Sequence, residues 1–129
     1  MSAAPSRTAS YVLIAASILA ASVGQALMKS GLAGVDGAGS ALSVLGSAAG
    51  RPVVWVGLIS YALSSALWLV VLSRVELSVA YPLGSLSYVI VVLASLAMGE
   101  HVSALRWFGV VLIVGGVWAI GATRAGDGA

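Results

Sequence analysis

Polar and apolar positions along the chain fall into long uncharged runs broken by short charged punctuation. The runs extend from Thr8 to Met28, Pro52 to Ser73, Leu77 to Gly99 and Trp107 to Thr123. A helix needs about 20 mostly apolar residues to cross a bilayer, with a range of about 17–25. The pattern therefore predicts four transmembrane helices, at about 8–29, 52–73, 77–99 and 105–123. Leu105 and the stem of Arg106 lengthen the last of them at the water boundary. The expected fold class is an all-α integral membrane protein with one domain, residues 8–124, flanked by frayed ends at 1–7 and 125–129. Arg7 ahead of Tyr11–Ala20 resembles the start of a signal peptide. The apolar run continues to Met28 and three more follow, so it is read as a retained span.

The segment 30–51 is rich in Gly, Ser and Ala and reads as a loop, with room for a short interfacial helix at Ala41–Ala49. The links Arg74–Glu76 and Glu100–Ala104 are short, which makes the last three spans antiparallel neighbours. An even number of spans puts Arg7, Arg74 and Arg124 on one side, and Lys29, Arg51 and Arg106 on the other. Lys and Arg counts set orientation, and three against three permits either.

Composition agrees with a bilayer as the solvent. Of 129 residues, 60% are hydrophobic and 8% charged, against about 25% charged in an average soluble domain. So small a globule leaves too much surface exposed to hide that apolar fraction. Cysteine is absent and there is a single histidine, His101, so no metal site or cofactor is expected. The net charge of +2 comes from scattered residues rather than a basic run, and nucleic acid is not an expected partner. No nucleophile–base pair, phosphate loop or metal motif stands out, and an enzyme is not expected.

The polar residues within the spans are the candidate chemistry. Ser22, Gln25 and Lys29 share one face of the first helix, with Ala21 beside them. Gln25 and Lys29 either meet a polar or anionic substrate, or serve as interhelical glue and as a snorkelling cation. In the third span Ser78, Tyr81, Ser85 and Tyr88 form a hydroxyl-bearing stripe. Pro82 either kinks that helix or sits harmlessly in its first turn. The second span carries Ser60 and Ser64 on one face, read as packing residues, and Tyr61, Ser65 and Trp68 on the next. Trp55 and Trp107 read as interfacial anchors. Glu100, His101 and Arg106 make either a solvated turn or a gate and headgroup contact. Gly109, Gly115 and Gly116 in the last span mark a helix-packing face, within this chain or with another.

Three segments carry a family resemblance: GQALMKSG at Gly24–Gly31, LWLVVLSRVELSVAYPLGSLSYV at Leu67–Val89, and GEHVSALRWFGVVLIVGGVWAIG at Gly99–Gly121. From Ser10 to Gly121 the chain resembles the drug/metabolite transporter superfamily, in its EamA-like, small multidrug resistance-like branch. It is similar in particular to the subunits of aminoarabinose-phosphoundecaprenol flippases. Gly24, Gln25 and Lys29 match their GQ-x3-K pattern, and Gly99, Glu100, Arg106 and Gly109 their last motif. The resemblance implies a multi-pass inner-membrane transporter that moves a polyprenyl-phosphate-linked sugar or related amphiphile. It implies a dimer, either of identical chains or with a related small subunit. Substrate contact is then expected at Gln25, Lys29, Ser78, Tyr81, Ser85, Tyr88, Glu100 and Arg106. The multidrug exporters are similar too, but Ala21 stands where they carry a glutamate, and Gly84 where they carry an aromatic. Export of small molecules with altered coupling, and a non-transporting partner subunit, are the alternatives.

Overall fold

The computed structural model describes residues 7–126, and the described residues form helices joined by turns. Helix α1 spans Arg7–Gly31, α2 Ala41–Ala49, α3 Pro52–Leu72, α4 Leu77–Gly84, α5 Ser87–Ala97 and α6 Ala104–Gly126. Helices α1, α3 and α6, and α4 with α5 together, are long and apolar enough to cross a membrane. The 25 residues of α1, at about 1.5 Å each, exceed the hydrocarbon thickness of about 30 Å. Helix α1 starts at Arg7 and α6 runs on to Gly126. Of the ends expected to fray, 1–7 and 125–129, residues 1–6 and 127–129 lie outside the described residues.

Helix pair α1–α3 is the centre of the bundle. Small residues let the two backbones meet: Gly24, Gly31 and Gly57 are buried at the crossing. A Cβ added to Gly24 would lie 2.7 Å from the Gly57 carbonyl oxygen. Two serines of α3 reach across: the Ser60 hydroxyl donates to the Ala20 carbonyl at 2.9 Å, and Ser64 to the Ser17 carbonyl at 2.7 Å. These serines are donors between helices as well as small residues at the contact. In hydrocarbon such bonds and close van der Waals packing hold helices together, because lipid tails leave no hydrophobic gain between them.

The loop after α1 is tied down by Arg51, whose guanidinium donates to the carbonyls of Gly31 at 2.7 Å and Ala33 at 2.9 Å. It supplies partners that the end of a helix lacks. Trp55 donates its indole N–H to the Ala49 carbonyl at 2.9 Å and anchors α2 to α3.

The third span is broken. Pro82 is the sixth residue of α4, past the first turn, and cannot donate to the Ser78 carbonyl. Hydrogen bonds from Leu86 to Leu83, Tyr88 to Ser85 and Val89 to Leu86 tighten the backbone into i→i+3 turns. The Ser85 hydroxyl donates to the Pro82 carbonyl. Between α4 and α5 the chain thus stays right-handed and helical but tightens at Ser85–Leu86.

Helix α6 makes its main contact with α4. Side chains added at Gly109, Gly115 or Gly116 would meet nothing within 4 Å. Leu112 and Trp118 project outward, 59% and 75% exposed. The packing face expected from these glycines is therefore not used within this chain.

Candidate functional site

Two adjoining cavities lie beside α1. The larger, about 620 Å³, is bounded by α1, α3, α4 and α5. Ala21 and Gln25 line it from α1, Ser64, Ser65 and Trp68 from α3, and Tyr81, Ser85 and Tyr88 from the broken span. Three members of the hydroxyl stripe thus come together with Gln25. Ser78, the fourth, is exposed and lines neither cavity. It sits one turn ahead of Tyr81, in the first turn of α4.

Close packing at Gly84 explains how this wall forms. Gly84 is the point of closest approach: a Cβ there would meet the Trp68 ring at 2.9 Å. Its hydrogen leaves room for the indole, which packs edge-on against Tyr81 with ring centroids 5.9 Å apart at 87°. Trp68 from the neighbouring helix thus supplies the aromatic surface that Gly84 itself lacks. The residues lining this cavity include no carboxylate. Ala21 presents a methyl group to it.

The smaller cavity, about 240 Å³, lies between α1 and the end of α5. Ser22, Gln25 and Lys29 face Ser95, Met98 and Glu100 across it. It shares Gln25 and Val91 with the larger cavity, so Gln25 stands at the junction. Lys29 Nζ is 3.1 Å from Glu100 Oε1. The Lys29 ammonium is thus held by a protein carboxylate.

A C-terminal helix cap aims Glu100 at that position. Gly99 has φ +79°, a left-handed conformation that glycine adopts without a Cβ penalty. The Gly99 N–H bonds the Leu96 carbonyl and the Glu100 N–H bonds the Ser95 carbonyl, each at 2.9 Å. This double bond pattern is the Schellman motif. The chain reverses there, and Glu100 points back toward the end of α1. Lys29 holds the Glu100 carboxyl below the ordinary glutamate range, first by its hydrogen bond and then by its charge. Desolvation opposes that shift, and Ser95 and Arg106 add smaller contributions to it. Arg106 lies outside both cavities, and its guanidinium is 3.4 Å from the His101 carbonyl.

Ser22 is the residue that helical spacing placed on the right face without revealing its condition. It is 2% exposed, and its hydroxyl is buried with no hydrogen-bond partner among the described residues. Ser95 was missed by sequence reasoning. It stands one helical turn before Gly99, a spacing that does place it under Glu100.

Fold and site together define a small multi-pass membrane protein with a polar cleft beside its first helix. Among curated proteins the chain is 45% identical, over 65 residues, to the probable 4-amino-4-deoxy-L-arabinose-phosphoundecaprenol flippase subunit ArnE of Pseudomonas fluorescens strain Pf-5, covering 50% of this chain and 57% of that protein. It is 44% identical over 71 residues to the probable flippase subunit ArnF of Proteus mirabilis, covering 53% of each. It is 43% identical over 74 residues to the probable subunit ArnE of Escherichia coli O139:H28, covering 55% of this chain and 67% of that protein. The chain belongs to this family of small inner-membrane proteins. It spans a little over half the length of the first relatives it matches. No family model matches the chain, and no solved structure matches it.

Proposed function

We propose that the protein is a transporter subunit that carries a polyprenyl-phosphate-linked sugar, or a closely related amphiphile, across the inner membrane, and that it is not an enzyme. The observation that carries this reading is the joined pair of cavities. The larger cavity offers aromatic and hydroxyl surface from Trp68, Tyr81, Ser85 and Tyr88. The smaller offers Gln25 and Lys29. Hydroxyls and an amide suit a sugar, and an ammonium suits a phosphate. The names of the relatives supply the substrate class.

Such a substrate keeps its tail in the lipid while its headgroup follows the α1 face. A second small subunit, another copy or a related chain, completes the unit. The uncovered face of α6 with Gly109 and Gly116 supports this, since glycine faces permit close approach of a partner helix.

The test is reconstitution into vesicles carrying a polyprenyl-phosphate aminosugar in one leaflet, with this protein alone and with a related small subunit. Transfer is read as the loss of labelling by an impermeant amine reagent. Transfer faster than in protein-free vesicles is expected. Equal rates in all vesicles would overturn the reading.

A further inference from the structure

Contacts within the chain leave the helicity of α2 largely unexplained. The helix has nine residues, and none of them is buried. Isolated helices shorter than about 12–15 residues are marginal in water, and in proteins most helical stability comes from packing an amphipathic face. At about 1.5 Å per residue α2 is also far too short to cross a hydrocarbon layer of about 30 Å. Its ends are tied: the Ser40 hydroxyl accepts from the Ser43 N–H at 3.3 Å, and the Trp55 indole donates to the Ala49 carbonyl. Its outer side is uncovered. Leu42 is 80% exposed and Leu45 65%, and a Cβ on Gly46 would meet nothing within 4 Å.

We propose that α2 is a membrane-surface contact, in which Leu42, Leu45 and Ala49 enter the boundary between headgroups and acyl chains while Ser43 and Ser47 face water. The spacing separates the two sets. Leu42, Leu45 and Ala49 recur at three and four and share one face, and the two serines lie on the far side. Val44 and Ala48 are half-buried and make a third side, and α2 packs on α3. The level fits as well. Arg51 joins the end of α1 to the start of α3 through the carbonyls of Gly31 and Ala33. Helix α2 therefore hangs at the ends of two spans, where hydrocarbon gives way to water. Trp55, 51% exposed in the first turn of α3, stands where tryptophan is enriched in membrane proteins.

The occupant of the leucine face is lipid rather than a second protein. Two leucines and an alanine offer far less than the surface of about 800 Å² that each partner gives to a standard protein interface. Amphipathic surface helices bind through apolar area and through charge. Residues 37–50 carry no charge, so only apolar area is left, and the contact has no preference for anionic lipid. It pins the α1–α3 hairpin, with Lys29 in the last turn of α1, at a fixed depth in one leaflet. It does not depend on what the protein transports.

The chain has no cysteine, so an introduced one reports alone. Full-length protein in phosphatidylcholine vesicles carries one spin-labelled cysteine at a time, as Leu45→Cys, Ala49→Cys, Ser43→Cys or Ser47→Cys. Collisions with oxygen report lipid, and collisions with a water-soluble nickel chelate report water. The ratio of oxygen to nickel collisions is expected to be several times higher at Leu45 and Ala49 than at Ser43 and Ser47, and to stay so when phosphatidylglycerol is added. Both leucines are intact in three of the four proteins, so the contrast does not rest on a damaged face. In the Ala49→Cys protein, Leu42→Ser with Leu45→Ser should bring the ratio down to that of the serine positions. Equal nickel collisions on the two faces would overturn the proposal and make α2 a solvated helix. Few collisions with either reagent at Leu45 and Ala49 would overturn it in favour of a protein partner. A contrast seen only with phosphatidylglycerol would overturn the apolar contact. Each of these results leaves the transporter reading standing.

Discussion

Gly24 and Gly57 face each other so closely that a Cβ on either would lie 2.7 Å from the carbonyl oxygen of the other. The obstacle is backbone, which cannot rotate aside as a side chain can. A Cβ on Gly24 would also sit 2.9 Å from the Tyr61 nitrogen. Gly24→Ala or Gly57→Ala must therefore push α1 and α3 apart. Overpacking of this kind costs about 1–3 kcal/mol, and the loss is expected as a lower midpoint of unfolding in detergent. Gly31→Ala is the internal comparison, because its nearest obstacle is the Val54 Cγ2 methyl, at 2.7 Å. It should cost less than either of the others.

The two interhelical serine bonds should differ in worth. Ser64 is buried and donates to Ser17 at 2.7 Å, while Ser60 is part-buried and donates to Ala20 at 2.9 Å. Interhelical hydrogen bonds in membrane proteins contribute about 0.6 kcal/mol on average and about 1.7 at most. Ser64→Ala is expected near the upper end and Ser60→Ala near the average. Neither should empty the carbonyl side of its helical bond, so the loss is that of one bond each. Equilibrium unfolding of the two single variants, and of the pair together, checks both the order and the near-additivity.

The outer face of α6 makes a different kind of prediction. Side chains added at Gly109 or Gly116 meet nothing within the chain. Gly116→Leu should leave the fold of the single chain intact, with no change in near-ultraviolet circular dichroism. If a second subunit packs on this face, the same change should abolish cross-linking between subunits in membranes. Retained cross-linking with Gly116→Leu would place the contact elsewhere.

The sequence made the spans legible because charge and hydropathy are one-dimensional signals. Arg51, Arg74 and Glu76 interrupt apolar runs wherever the chain meets water. The faces of α1 and α4 were legible too, since helical spacing alone puts Gln25 below Ala21 and Ser85 below Tyr81. Ser78 shows the limit of that reasoning. It obeys the spacing of the stripe and still lines neither cavity, because it is exposed one turn earlier in α4. The Gly24–Gly57 crossing was hidden for a related reason. A glycine in one helix says that a backbone can come close, but the partner is set by tertiary packing. The more conspicuous glycines of α6 drew the expectation instead. The ion pair of Lys29 with Glu100 joins residues 71 positions apart (100 − 29) and needs the turn at Gly99 to form. Each of its parts was visible, and their meeting was not.

That turn and that pair give a pH prediction. The folded-state pKa of Glu100 lies below the ordinary 4.5, chiefly through the hydrogen bond and charge of Lys29. A depressed carboxylate contributes stability above its unfolded pKa and loses it as pH falls through the folded value. The Lys29–Glu100 contact is thus expected to be fully formed above pH 4.5 and to open at a lower pH. Both side chains are solvated, so the gain in overall stability is small and the carboxyl itself is the better reporter. Infrared difference spectra of wild type against Glu100→Gln, taken through an acid titration, isolate its stretch. Lys29→Gln should move that titration up toward 4.5. Gly99→Ala should do the same without touching either charge. An alanine there must bear a left-handed backbone that costs about 1–2 kcal/mol, or relax and carry Glu100 away from Lys29. If Gly99→Ala leaves the Glu100 titration where it is in wild type, the turn does not position the carboxylate.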